Sequence, residues 1–167
     1  MRDADYERVA NTAQNLAPEL LRYFQRRVHD PEEAADLLGE TLLVLTRRAR
    51  AIPTADDQAR MWCYGVARKV LLSYQRRGRR QVELADQLRG ELRRTSHVAP
   101  ENEQLHDALV QLDDLDREII RLIHWDGFTQ ADVAGHLNLP AGTVRSRYTR
   151  ARRRLRAILD ATAVEQH

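Results

Sequence analysis

The run QADVAGHLNLPAGTVRSRY, residues 130–148, constrains the fold most, because its apolar positions recur where two short crossing helices must bury them. Val133, Ala134 and Leu137 supply the inward stripe of a first helix, and Val144 and Tyr148 that of a second. Ala134 lets the two axes approach closely. Thr129 followed by Asp132 is a capping-box-like start, Asn138 sits where the turn wants left-handed backbone, and Pro140 suits the first position of the second helix. This helix-turn-helix geometry offers the outer face of its second helix to a DNA major groove.

Paired amphipathic helices also occur inside ordinary helical cores, so charge has to decide between the two readings. Arg145, Arg147, Arg150, Arg152, Arg153, Arg154 and Arg156 surround the stripe Val144, Tyr148, Ala151, Leu155 and Leu159, and beyond Pro140 only Asp160 and Glu165 oppose them. A merely solvated face seldom excludes acids this way. Arginine also suits phosphates and guanine edges because its planar fork donates two hydrogen bonds at once, a good base contact giving roughly 1–3 kcal/mol of discrimination.

The remaining chain reads as helical. Only 5% of its 167 residues are aromatic and 7 are glycine, while Leu, Ala, Arg, Glu and Gln dominate. No apolar run approaches the roughly 20 residues that span a bilayer, and the N-terminus lacks a signal-peptide pattern, which predicts a cytoplasmic protein. The single Cys63 excludes an internal disulfide and reads as a small core residue.

Periodicity predicts a first helix over 3–15 and a second opening at Pro18 with Leu20, Leu21, Phe24 and Val28 on one side. Asp30-Pro31-Glu32-Glu33 is an N-cap aspartate followed by proline and acids, the start of a third helix that should run to about residue 50 with Ala34, Leu37, Leu38, Thr41, Leu42 and Leu45 inward. A fourth, over about 57–77, buries Cys63, Val66, Ala67, Val70, Leu71 and Tyr74. The pattern weakens over 78–100, which reads as a linker with room for some helix. Two further helices follow, with Leu105, Ala108, Leu109 and Leu112 inward in one and Ile119, Ile120 and Ile123 in the other. The expected fold is all-α, two small helical domains over 1–77 and 101–162, a linker over 78–100 and a tail over 163–167.

The net charge of +2 conceals blocks. Asp30, Glu32, Glu33, Asp36 and Glu40 form an acidic stretch with no base, which calls for a protein partner or plain solvent. Residues 54–80 carry Arg60, Arg68, Lys69, Arg76, Arg77, Arg79 and Arg80 against Asp56 and Asp57, so a second basic surface accompanies that of the last helix. Residues 101–118 are acidic again, with Arg117 alone among seven acids, so the second domain has an acidic back and a basic reading helix. Trp62, Tyr64, Arg68, Lys69, Ser73 and Arg76 fall on the side that the fourth helix's core stripe leaves free. Aromatics interleaved with cations suit single-stranded DNA, although a tryptophan on an amphipathic helix is more often a core residue than a stacking platform.

No catalytic constellation appears. His29, His97, His106, His124, His136 and His167 are scattered without ligand spacing, no glycine-rich phosphate loop occurs, and no cofactor, metal or enzymatic activity is expected. One reading open to such a DNA-binding chain is a free-standing helix-turn-helix repressor or activator that binds a palindromic operator as a dimer.

These residues resemble those of an extracytoplasmic-function sigma factor of the sigma-70 family. DPEEAADLLGETLLVL at 30–45 and MWCYGVARKVLLSYQRRGRR at 61–80 are similar to sigma region 2, and ALVQLDDLDREIIRLIHWDGFTQADVAGHLNLPAGTVRSRYTRARRRL at 108–155 to region 4. Extra N-terminal domains, region 3 and an appended sensing domain are not expected. The resemblance implies that the chain binds RNA polymerase core, through the β′ clamp helices and the β flap, and directs initiation at promoter DNA. It places Asp36, Leu37, Leu38, Gly39 and Glu40 against polymerase, with Gly39 where the family commonly has glutamine. Trp62, Tyr64, Arg68, Lys69, Ser73, Arg76 and Arg77 would recognise and open the minus-10 element, Lys69 standing where asparagine is common. Arg145, Ser146, Thr149 and Arg150 would face minus-35 bases, and Arg147 and Arg153 phosphates. The resemblance also extends to an anti-sigma factor as a candidate further partner.

Overall fold

The computed structural model describes residues 3–89 and 103–165, which form seven α-helices, one 3-10 turn and no strand. The chain divides into two compact units, Met1–Val98 and Ala99–His167.

In the first unit, α1 (Asp3–Gln25), α2 (Pro31–Arg47) and α3 (Asp56–Arg89) pack pairwise, with the 3-10 turn Ala49–Ala51 against α1. The two helices expected on either side of Pro18 are one, since Pro18 lies inside α1 with its ring exposed. An interior proline costs roughly 3 kcal/mol. Leu16, Leu20, Tyr23 and Phe24 keep helical spacing across it and are all buried, at roughly 1.5–3 kcal/mol per large apolar side chain, so burial outweighs the break.

The start of α2 follows the sequence signal. Asp30 is the N-cap, its carboxylate accepting the Glu32 amide at 2.8 Å, and Pro31 takes the first helical position. Ala34, Leu37, Thr41 and Leu45 are buried, and the Thr41 hydroxyl is satisfied by the Leu37 carbonyl at 2.8 Å. The helix stops at Arg47, and the 3-10 turn covers the residues expected to complete it.

From α3 come buried Ala59, Cys63, Tyr64, Val66, Ala67, Val70 and Leu71, and half-buried Tyr74. Burial pushes the Cys63 thiol up to about 11. Burial, then the Glu33 carboxylate beside it, push the Tyr74 phenol up to about 12. The helix does not end near Arg77: it runs through Gly78 to Arg89, into the segment read as a linker. Strong helix formers dominate that stretch and no proline follows before Pro100, so one glycine, costing roughly 1 kcal/mol, does not stop it. The rest of that segment, 90–100, lies outside the described residues.

The second unit holds α4 (Glu103–Val110), α5 (Asp114–His124), α6 (Gln130–Leu137) and α7 (Ala141–Glu165). Leu109, Leu112, Ile120 and Ala151 form a core cluster against which Leu105, Tyr148 and Leu155 pack. Leu122 is fully buried where Ile123 was expected to be, and Ile123 is half-buried. A left-handed Gly127, φ 72°, turns the chain so that Phe128 also enters the core. The capping box is present: the Thr129 hydroxyl accepts the Asp132 amide and Asp132 accepts the Thr129 amide, both at 3.0 Å. Asn138 is left-handed at φ 54°, and the Leu139 amide returns to the Ala134 carbonyl at 2.9 Å. Pro140 sits one position earlier than expected, as the residue whose carbonyl takes the first helical amides, from Thr143 and Val144.

Candidate nucleic-acid interface

The helix-turn-helix places α7 by burying Val133, Ala134, Leu137 and Val144, with Tyr148 half-buried. Tyr148 is held at its edge as well, its hydroxyl 3.1 Å from His124 Nε2 at the end of α5 and its ring 5.9 Å from the imidazole. With that face fixed, Arg145, Ser146, Thr149, Arg150 and Arg153 are exposed. Ser146 donates to the Gly142 carbonyl at 2.9 Å and Thr149 to the Arg145 carbonyl at 2.9 Å. Both hydroxyls therefore keep acceptor capacity for an incoming donor. Tyr148, Thr149, Arg152, Arg153 and Arg156 line a shallow open depression of about 210 Å³. This face can bind an anion or a base edge by hydrogen bonding and charge.

Arg147 sits differently from its neighbours. Its Nη1 donates to Asp116 Oδ1 at 2.8 Å and Asp113 Oδ2 at 3.3 Å, so the guanidinium is engaged within the domain.

On α3 the set expected at single-stranded DNA separates. Tyr64 is 1% exposed, its ring 5.5 Å from that of Tyr23 in an edge-to-face contact and its hydroxyl donating to Glu19 at 3.3 Å. It is a core residue and not a stacking platform. At 3.6 residues per turn, Trp62, Lys69, Ser73 and Arg76 share one stripe, with Trp62 half-buried and the other three exposed. Half-buried Arg68, four residues after Tyr64, falls on the opposite flank. Arg77, expected in the same set, is exposed and reaches Glu40 of α2, 3.5 Å between Nη2 and Oε1.

The set expected against polymerase also divides. Leu37 is 2% exposed and belongs to the core; Asp36, Gly39 and Glu40 are exposed and Leu38 is half-buried. Sequence reasoning missed Leu43, 57% exposed and one turn beyond Gly39. Its spacing of seven from Asp36 and four from Gly39 was the available signal, since those positions share a helical face.

Among the described residues no group of three or more His, Cys, Asp or Glu is placed to hold a metal, and no helix is long and apolar enough to cross a membrane.

Comparison with known proteins agrees with the two-part arrangement. Residues 13–81 match the model of sigma-70 region 2, and residues 102–155 that of sigma-70 region 4. The chain is 32% identical over 150 residues to the ECF RNA polymerase sigma factor SigL of Mycobacterium tuberculosis, covering 87% of this chain and 85% of that one. It is 32% identical over 144 residues to the ECF RNA polymerase sigma factor EcfG of Rhodopseudomonas palustris, covering 80% and 75% respectively. The fold is similar to that of the sigma factor RpoE from Bartonella quintana, solved in complex with the anti-sigma factor NepR: TM-score 0.70 at 25% identity, over 88% of this chain and 95% of that one. With two region models matched in order and relatives at this identity over most of its length, the chain belongs to the extracytoplasmic-function sigma factors of the sigma-70 family, alternative sigma factors that direct promoter-specific transcription initiation.

Proposed function

We propose that this sigma factor reads its promoters at two places while polymerase core holds both at fixed spacing. Arg145, Ser146, Thr149 and Arg150 on α7 face the minus-35 bases, and Arg153 a phosphate. The stripe Trp62, Lys69, Ser73 and Arg76 on α3 takes single-stranded minus-10 DNA, while Arg77, beside Glu40, and Arg68, on the other flank of the helix, meet the backbone. Asp36, Leu38, Gly39, Glu40 and Leu43 form the outward face of α2 that docks on the β′ clamp helices, and the second unit meets the β flap. The boundaries that go with this are region 2 over 1–77, region 4 over 101–162, an intervening 78–100 whose first part continues α3, and a tail over 163–167 whose first three residues continue α7.

The observation that carries the reading is the α7 surface, where a helix-turn-helix core turns Arg145, Ser146, Thr149, Arg150 and Arg153 outward together. Phosphate contacts fix register and base contacts specify sequence, and this surface offers both kinds of donor. The protein acts in the cytoplasm by binding alone, without catalysis or a cofactor. An anti-sigma factor is a partner of the same proposal, since the similar RpoE was solved bound to one.

Selection from a pool of genomic fragments tests the reading, using the chain alone, polymerase core alone and the two together. The combination should enrich fragments that share a two-part element. Enrichment of palindromes by the chain alone would instead establish a dimeric operator-binding repressor or activator.

A further inference from the structure

Arg147 lies between two residues assigned to minus-35 bases, Ser146 and Thr149, yet its side chain turns inward and is 30% exposed. It reaches two carboxylates of α5 at once, Asp116 at 2.8 Å and Asp113 at 3.3 Å. Asp113 is itself the N-cap of α5, accepting the Asp116 amide at 2.8 Å through its other oxygen. The next residue along α5, Arg117, closes the far side of the same loop. Its Nε donates to the Leu109 carbonyl at 2.9 Å, and its Nη2 to the carbonyls of Val110 at 3.0 Å and Leu112 at 2.9 Å. Two guanidiniums thus tie three helices to the 111–113 loop, Arg117 holding the end of α4 and Arg147 holding α7.

We propose that Arg147 is a positioning residue for minus-35 recognition, and not a phosphate ligand: through Asp116 and Asp113 it fixes the pose of α7 on α5, and with it the angle at which Arg145, Ser146, Thr149 and Arg150 meet the bases. This rests on the reading of α7 as the minus-35 helix. A phosphate drawn to Arg147 would also approach two carboxylates, whereas Arg153 and Arg150 present their charge on the exposed face. The Asp113 carboxyl is held below the usual carboxylate range, first by the Asp116 amide and then by Arg147. The Arg147 guanidinium is held above its ordinary value, first by its hydrogen bond to Asp116. Asp116 is the cleaner partner to test, because Asp113 also caps α5.

The test measures affinity of the holoenzyme, full chain with polymerase core, for duplexes carrying a matched or a scrambled minus-35 element, over a series of salt concentrations. Removing an acid beside DNA ordinarily strengthens binding to every sequence. Positioning predicts the opposite for Asp116→Asn: matched affinity falls roughly tenfold, the size of losing one good base contact, while scrambled affinity holds or rises. Asp116→Glu recovers most of that loss, and the double variant Arg147→Ala/Asp116→Ala is no weaker than Arg147→Ala alone. The slope of log affinity against log salt stays at its wild-type value for Arg147→Ala. A slope lowered by roughly 0.9 with Arg147→Ala, or tighter binding of both duplexes with Asp116→Asn, makes Arg147 a phosphate ligand and overturns the proposal. Thermal melts of each variant separate a lost fold from a lost pose, and the Asp116→Glu recovery decides if Asp116→Asn melts early. If the wild-type holoenzyme itself does not discriminate matched from scrambled duplex, the minus-35 reading of α7 fails first.

Discussion

Arg147 and Arg150 stand three residues apart on one helix and meet opposite surroundings, one between two carboxylates and the other in solvent. That difference comes from α5, and α7's own periodicity does not contain it. Arg150→Ala should relax specificity at one minus-35 position, roughly 1–3 kcal/mol of discrimination, measured by binding to duplexes varied one base at a time. Equal weakening on all sequences would reassign Arg150 to phosphate. Tyr64 teaches the same lesson in region 2. The α3 pattern marks a core stripe centred on Cys63, Ala67 and Val70, and Tyr64 lies at its edge. Because α3 packs on α1 as well as α2, the buried arc is wider than one stripe, and Tyr23 draws Tyr64 inside. Tyr64→Ala should cost about 3–5 kcal/mol in denaturant unfolding. Trp62→Ala, at a half-buried position, should leave most of the stability and abolish promoter opening, read by permanganate reactivity of minus-10 thymines. The reverse ranking would return Tyr64 to the DNA-facing set.

At the scale of elements, hydrogen-bonded caps were legible, and breaks expected from proline or glycine alone were not. Asp30, Thr129 and Asn138 act through hydrogen bonds to backbone atoms two to four residues away, so local sequence contains the whole interaction. Pro18 and Gly78 are local signals too, and both were overridden, Pro18 by an apolar stripe buried against α2 and α3 and Gly78 by the helix formers on either side. The same reasoning isolates Gly39. A methyl group there would meet nothing within 4 Å, and the position lies mid-helix on the outward face of α2. Gly39→Ala should therefore stabilise the protein by about 1 kcal/mol, observable as a higher unfolding midpoint. A loss of stability would show that the α2 backbone depends on glycine there.

For the whole molecule, charge blocks proved more informative than the net charge of +2. Of the acidic block at 30–40, Asp30 caps α2 and Glu33 lies beside Tyr74, while Asp36 and Glu40 are exposed on the outward face beside Leu43, an arrangement suited to a protein and repellent to DNA. Glu40 also contacts Arg77, so the surface assigned to polymerase and the one assigned to minus-10 DNA adjoin at an ion pair. An exposed pair of this kind contributes at most about 1 kcal/mol, and loss of polymerase binding in Glu40→Lys would come from the interface itself. Gel filtration with core should show Glu40→Lys failing to form holoenzyme while its thermal melt stays near wild type. Intact assembly would make the acidic block a solvated face.

Run-off transcription from a genomic fragment library, with purified polymerase core in the presence and absence of the protein, tests the account as a whole. It predicts discrete new transcripts whose start sites share a two-part upstream element, with the downstream part opened and the upstream part read as duplex. Silence from the mixture, with sequence-specific DNA binding retained by the protein alone, would contradict it.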